Sequence, residues 1–170
     1  MPPRVTDVPR AILVGLSATA VLGLWLGWLA PRLGLGRLDY PLLLGTYLLG
    51  GFGFQEGKLV ALSGWLLFAL GGIVWALIYA SYVCDRLLGP GWLQGLTYAA
   101  VGVFLVTSLL ILPVIGLAHP LVRAGRMPAP GLLGLGLSGG RVVLANFLGH
   151  CLFGFILGIL YRRRLVFSSS

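Results

Sequence analysis

Two side chains stand where chemistry could be done out of reach of water. Asn146 and His150 fall in the uncharged run from Val142 to Tyr161. A spacing of four residues puts both on one face of a helix, and polar groups at such depth are costly unless partnered. The functional reading of His150 is a haem or quinone ligand, or a proton-handling group. The structural reading, which we favour, is a neutral imidazole hydrogen-bonded to Thr107 or Ser108 on a neighbouring helix. An imidazolium there would be desolvated, with no acid in any apolar run to pair with it. His119 follows the third run near an interface, so a two-histidine haem clamp is not expected. No cofactor is predicted; haem or quinone is the alternative.

The rest of the chain offers little chemistry. Asp7, Asp39, Glu56 and Asp85 all lie outside the apolar runs, which argues against a carboxylate-coupled transporter. There is no Walker motif, nucleophile elbow, HExxH or metal-ligand cluster, and no acid–base pair. No catalytic or metal-binding residue is assigned, and the chain is read as a non-enzyme. Cys84 and Cys151 read as small apolar fillers at different depths, so no bridge is expected. Asp39-Tyr40-Pro41, with Arg37 just before it, reads as a solvated turn before an interfacial helix. Its functional alternative is an ion pair holding a re-entrant hairpin or a subunit contact.

The elements that must position these residues are membrane spans. Of 170 residues only 9% are charged, against 58% hydrophobic, and mean hydropathy is +1.00. A soluble domain carries about 25% charge. Ala11 to Ala30, Leu59 to Cys84, Leu93 to Ala118 and Val142 to Tyr161 are each at least 20 residues long without a formal charge. About 20 residues cross the hydrocarbon core, so four transmembrane helices are predicted. The first is too long for a signal peptide, and Trp28-Leu29-Ala30 lacks the small residue of a cleavage site. Pro41 to Phe54 and Met127 to Gly140 are too short to cross. Both are predicted to lie along one interface or dip partway in, and a six-span count is rejected. Trp25, Trp28 and Trp65 mark one interface; Tyr79, Tyr82, Trp92 and Tyr161 mark the other.

The net charge of +8 reads as topology and lipid headgroups rather than nucleic acid. With four spans each face carries six basic residues. Arg162-Arg163-Arg164 beside the last span, and Arg4 and Arg10 before the first, favour cytoplasmic termini in a bacterial cytoplasmic membrane.

Small residues recur every fourth position: Gly23 and Gly27, Gly72 and Ala76, Gly154 and Gly158. Such stripes let helix backbones approach closely, whether within the chain, in a homo-oligomer or against another subunit. An offset of 82 residues then aligns the chain with itself. Pro31, Gly34 and Leu35 fall on Pro113, Gly116 and Leu117. Gly57, Gly72 and Tyr79 fall on Gly139, Gly154 and Tyr161, with Val60, Leu62, Leu66 and Leu70 on Val142, Leu144, Leu148 and Leu152. Two units, about 11–82 and 93–164, each hold two spans and a short segment. Both enter from the same side, which predicts a parallel repeat.

The fold class is therefore all-α: one membrane domain over 1–170, a four-helix bundle without a β-sheet, made of two parallel two-helix repeats. In this it resembles small, uncharacterised bacterial membrane proteins with a duplicated two-helix unit. Those carry a His-x-x-x-Gly stretch ending in Tyr, here His150 and Gly154 leading to Tyr161, with Phe68 in place of the histidine in the first unit. The resemblance brings no established activity. The function expected is a non-catalytic accessory subunit of a larger membrane complex, respiratory or photosynthetic. A homo-oligomeric channel or transporter past Asn146 and His150 is the alternative, and a haem- or quinone-binding redox protein a second. The expected surroundings are the lipid bilayer and other membrane subunits, or further copies of the chain.

Overall fold

The computed structural model describes residues 4–84, 86–161 and 164–165. Four helices are long and apolar enough to cross a membrane: α1 (Val8–Arg32), α3 (Lys58–Val83), α4 (Gly91–Ala118) and α5 (Gly140–Leu160). Between the first two lies the shorter α2 (Tyr40–Phe52). At 1.5 Å per residue the four long helices measure about 30–40 Å, the thickness of the hydrocarbon core or a little more. Each start follows from local chemistry. Asp7 caps α1 by accepting from the Arg10 amide at 3.3 Å, and Asp39 caps α2 by accepting from Leu42 at 3.0 Å. A proline in the first turn of each presets the helical φ. Before α3 and α5 stand Gly57 (φ 110°) and Gly139 (φ 66°), turns that a side chain would strain.

Antiparallel packing follows the small residues. α1 lies on α3 where Gly15 meets Ala76 and Thr19 meets Gly72. α4 lies on α5 where Gly91 and Gly95 oppose Gly158 and Gly154, carbonyl against glycine. A Cβ at Gly72, Gly154 or Gly158 would run into the partner helix. α1 also lies against α5, through Leu22 and Trp25 at Gly149, and the Trp25 indole donates to the Ala145 carbonyl at 2.7 Å. Gly23 sits beneath Trp65 and Phe68, but Gly27 has no neighbour within 4 Å. The expected Gly23–Gly27 stripe is thus only half used. The chain takes a wide π-helical turn at Trp25–Leu29, which breaks the four-residue spacing.

The short apolar segments differ from each other. α2 runs antiparallel to the start of α3, with Gly45 against the Val60 carbonyl and Gly64 against the Pro41 carbonyl. Its first residue, Tyr40, stacks on Phe68 with ring centroids 5.5 Å apart. Phe68 is ten residues past Lys58, about 15 Å along the axis. α2 thus packs along α3 as far as Phe68, and Tyr40 is buried rather than part of a solvated turn; just before it Arg37 and Asp39 form an ion pair at 2.6 Å. The later segment forms only short turns, at Pro120–Arg123, Leu132–Gly134 and Leu135–Ser138. Pro128, Pro130 and five glycines between 131 and 140 interrupt any longer helix.

Both chain ends meet on one face. Arg10 donates to the Leu160 carbonyl at 3.0 and 2.7 Å, filling the open C-terminal end of α5. The Asp7 amide donates to the Tyr161 hydroxyl at 3.1 Å. Arg4–Val5 and Arg164–Leu165 pair antiparallel over two residues a side, a clasp in an otherwise helical fold.

Candidate functional site

α5 carries Asn146 and His150 into the interior, 0% and 2% exposed. Facing them on α4 is a π-helical turn, Thr107–Ile111. Its wider turn lets two consecutive residues address α5 together. Asn146 Nδ2 donates to Ser108 Oγ at 2.9 Å, and His150 Nε2 lies 3.2 Å from Thr107 Oγ1. Sequence reasoning offered Thr107 or Ser108 as the histidine's partner; Thr107 is that partner, and Ser108 serves the asparagine.

His150 Nδ1 lies 2.8 Å from the Asn146 carbonyl, which can only accept. The proton of the neutral ring is therefore on Nδ1, leaving a lone pair on Nε2. The Thr107 hydroxyl also reaches the Val103 carbonyl at 2.7 Å and the Phe104 carbonyl at 3.1 Å. The fifth member is Tyr40, whose hydroxyl donates to Asn146 Oδ1 at 3.1 Å. Reading the sequence missed it. The signal was there in the Asp39 cap and Pro41, which start a helix at that point, but nothing local says how deep the helix starts. The network ties α2, α4 and α5 together.

Beside this network the helices part. α3 and α4 touch near the chain-termini face, where the Tyr98 hydroxyl donates to the Trp75 carbonyl at 2.9 Å and Tyr79 and Tyr98 rings lie 5.4 Å apart. Beyond that contact they leave a cavity of about 170 Å³. Its walls are Phe68, Gly71 and Trp75 on α3, with Thr107 and Ile111 on α4. Leu22, His150 and Phe153 form the floor, and Tyr40 lies at one end. Thr19 also reaches it, but its hydroxyl donates to the Gly15 carbonyl at 2.7 Å. The lining is almost wholly apolar, and Tyr40, Thr107 and His150 are among its few polar residues. The gap lies between two helices long and apolar enough to cross a membrane.

His119 belongs to a different place. It is fully buried just past α4. Its Nδ1 accepts from the Leu121 amide at 3.2 Å, so Nε2 carries the proton and donates to the Leu43 carbonyl at 3.1 Å, with Thr46 Oγ1 at 3.2 Å. Burial holds its imidazole below the usual histidine range, and the Leu43 carbonyl opposes that only in part. His119 thus fastens α2 to the end of α4 and does not reach His150's site.

Cys84 is buried and Cys151 half-buried, and no disulfide joins them. Among the described residues no three His, Cys, Asp or Glu side chains group as metal ligands would. No protein family, curated protein or solved structure matches this chain.

Proposed function

We propose that the protein is a non-catalytic integral membrane subunit that holds a lipid-soluble molecule in the cleft between α3 and α4. One observation carries this reading: an apolar cavity between two helices of membrane-spanning length, with Tyr40, Thr107 and His150 among its few polar lining residues. Apolar pockets with a few converging polar groups are the usual form of a small-molecule site. The small-residue stripes face inward, so contact with other subunits falls to the outer helix faces. A pore past Asn146 and His150 is disfavoured, since opening one would break the hydrogen bonds that close the network. A two-histidine haem clamp is disfavoured too, because His119 is held on the Leu43 carbonyl and the Leu121 amide and does not reach the His150 site.

The same reading takes the chain as a duplicated two-helix unit, about 11–82 and 93–164, related by an axis along the membrane normal. The pairs Gly57 and Gly139, Gly72 and Gly154, and Ala76 and Gly158 are each 82 residues apart. Each pair has matching duties, as the turn entering a helix or as the closest approach within a helix pair. We place the protein in a bacterial cytoplasmic membrane with cytoplasmic termini.

The test is purification from native membranes in mild detergent, organic extraction and mass spectrometry, with Gly71→Leu alongside. A Cβ at Gly71 meets nothing within 4 Å, so leucine fills the cleft mouth without disturbing the helix. A molecule retained by the natural chain and lost from the variant is the expected result. Equal extracts from the two would defeat the binding reading, and migration of the natural chain alone in native gels would defeat the subunit reading.

A further inference from the structure

We propose that the cleft selects a lipid-soluble molecule bearing a hydroxyl group, whose one proton is donated among the acceptor atoms of Tyr40, Thr107 and His150. This rests on the cleft being a binding site. The argument is where the protons point. Tyr40's proton goes to Asn146 Oδ1, and that amide's own N–H goes to Ser108. The His150 ring proton goes to the Asn146 carbonyl. Thr107's single proton is shared among the Val103 and Phe104 carbonyls and His150 Nε2. Every proton is thus taken up within the protein and none is offered to the cleft, while Tyr40 Oη and Thr107 Oγ1 each keep a lone pair, as does His150 Nε2 whenever Thr107 turns its proton to a carbonyl. All three residues line the cleft.

A site of lone pairs in an apolar cavity sorts its guests by chemistry. A carbonyl, ether or ester would set its own oxygen against these atoms, with no proton between them. A hydroxyl supplies the missing proton, and leaving water for the cavity loses nothing that is not replaced. Buried groups left unpaired are what make such sites discriminate. The size is also limiting. About 170 Å³ is close to the roughly 150 Å³ of an apolar cavity that takes up benzene. It therefore holds one ring or a short branched piece next to the hydroxyl, and the remainder extends between α3 and α4 into the bilayer. Phenols and terpenoid alcohols have this form.

Trp75 in the wall gives the readout. The purified full chain in dodecyl maltoside is titrated with 4-bromophenol or 4-bromoanisole, whose bromine quenches a tryptophan at contact. Concentrations are expressed as mole fraction in the micelle, and Gly71→Leu supplies the background from the other tryptophans. The expected result is saturable quenching by the phenol at about tenfold lower mole fraction than by the ether, absent from Gly71→Leu. Thr107→Val should bring the ratio below about threefold while leaving quenching by the ether unchanged. If phenol and ether saturate alike, selection by donor is wrong and the cleft remains a site. If neither shows a saturable part that Gly71→Leu removes, the binding reading itself fails.

Discussion

His150 and Asn146 lie one turn apart on the same helix but carry unequal structural weight. His150 makes one bond to its own helix and one across to Thr107. An interhelical hydrogen bond within a membrane averages about 0.6 kcal/mol, so His150→Leu should cost about 1 kcal/mol or less. Asn146→Leu takes the acceptor from the Tyr40 hydroxyl and the donor from Ser108, and buried groups left unmet cost about 1–3 kcal/mol each. Unfolding titrations in mixed micelles should therefore rank Asn146→Leu as the more damaging. The reverse order would mean that the network is organised about the imidazole. Both residues were legible in the sequence because each is polar inside a long apolar run. Tyr40 was not: it lies 106 residues from the asparagine it bonds, in a segment too short to read as a span.

Helix number and length were open to reading because charge is confined to the loops and the helix ends, and a charge-free stretch long enough to cross leaves few alternatives. The π-helical turns were not legible, since no residue pattern announces an inserted residue. They turn Gly27 out of its stripe and aim Thr107 and Ser108 together at α5. The surviving stripes give a graded prediction. Gly154→Val, which drives a side chain into the Gly95 carbonyl, should cost at least 2 kcal/mol, whereas Gly27→Ala should fall within about 0.5 kcal/mol of the natural chain. Equal costs at the two positions would undo the packing described for α4 and α5. The docking of α2 should also respond to pH. His119 is held below the usual histidine range, so the unfolded chain takes up a proton near pH 6.5 before the folded one does. Its contribution is full above that pH and declines as pH falls below it, because protonating Nδ1 removes the acceptor for the Leu121 amide. Thermal unfolding of the natural chain and of His119→Gln between pH 5 and 8 should show a stability difference that shrinks on acidification. A difference that stays constant would acquit His119.

For the molecule as a whole, the distribution of basic residues ties six against six between the faces and leaves the orientation in the membrane open. The structure adds which groups share a face. The termini are clasped by Arg10, Tyr161 and a two-residue pairing, and antiparallel packing puts Gly89 on that same side. Gln55 and Gly125 fall on the opposite side, where the end of α2 meets Leu121 through Gly50. Arg162-Arg163-Arg164 directly beside α5 is the densest basic cluster in the chain, and basic residues adjoining a span weigh most in holding a loop in the cytoplasm. The termini and Gly89 should therefore be cytoplasmic. Single cysteines at Gly89, Gln55 and Gly125, in a chain carrying Cys84→Ala and Cys151→Ala, can be probed with a membrane-impermeant maleimide. Gln55→Cys and Gly125→Cys should label in cells whose outer membrane alone is permeable, and Gly89→Cys only after the inner membrane is opened. Labels at Gln55 and Gly125 on opposite sides would break the shared face of the two short segments, and with it the parallel repeat. Labels on one side but in the reverse sense would invert the orientation and leave the fold as described.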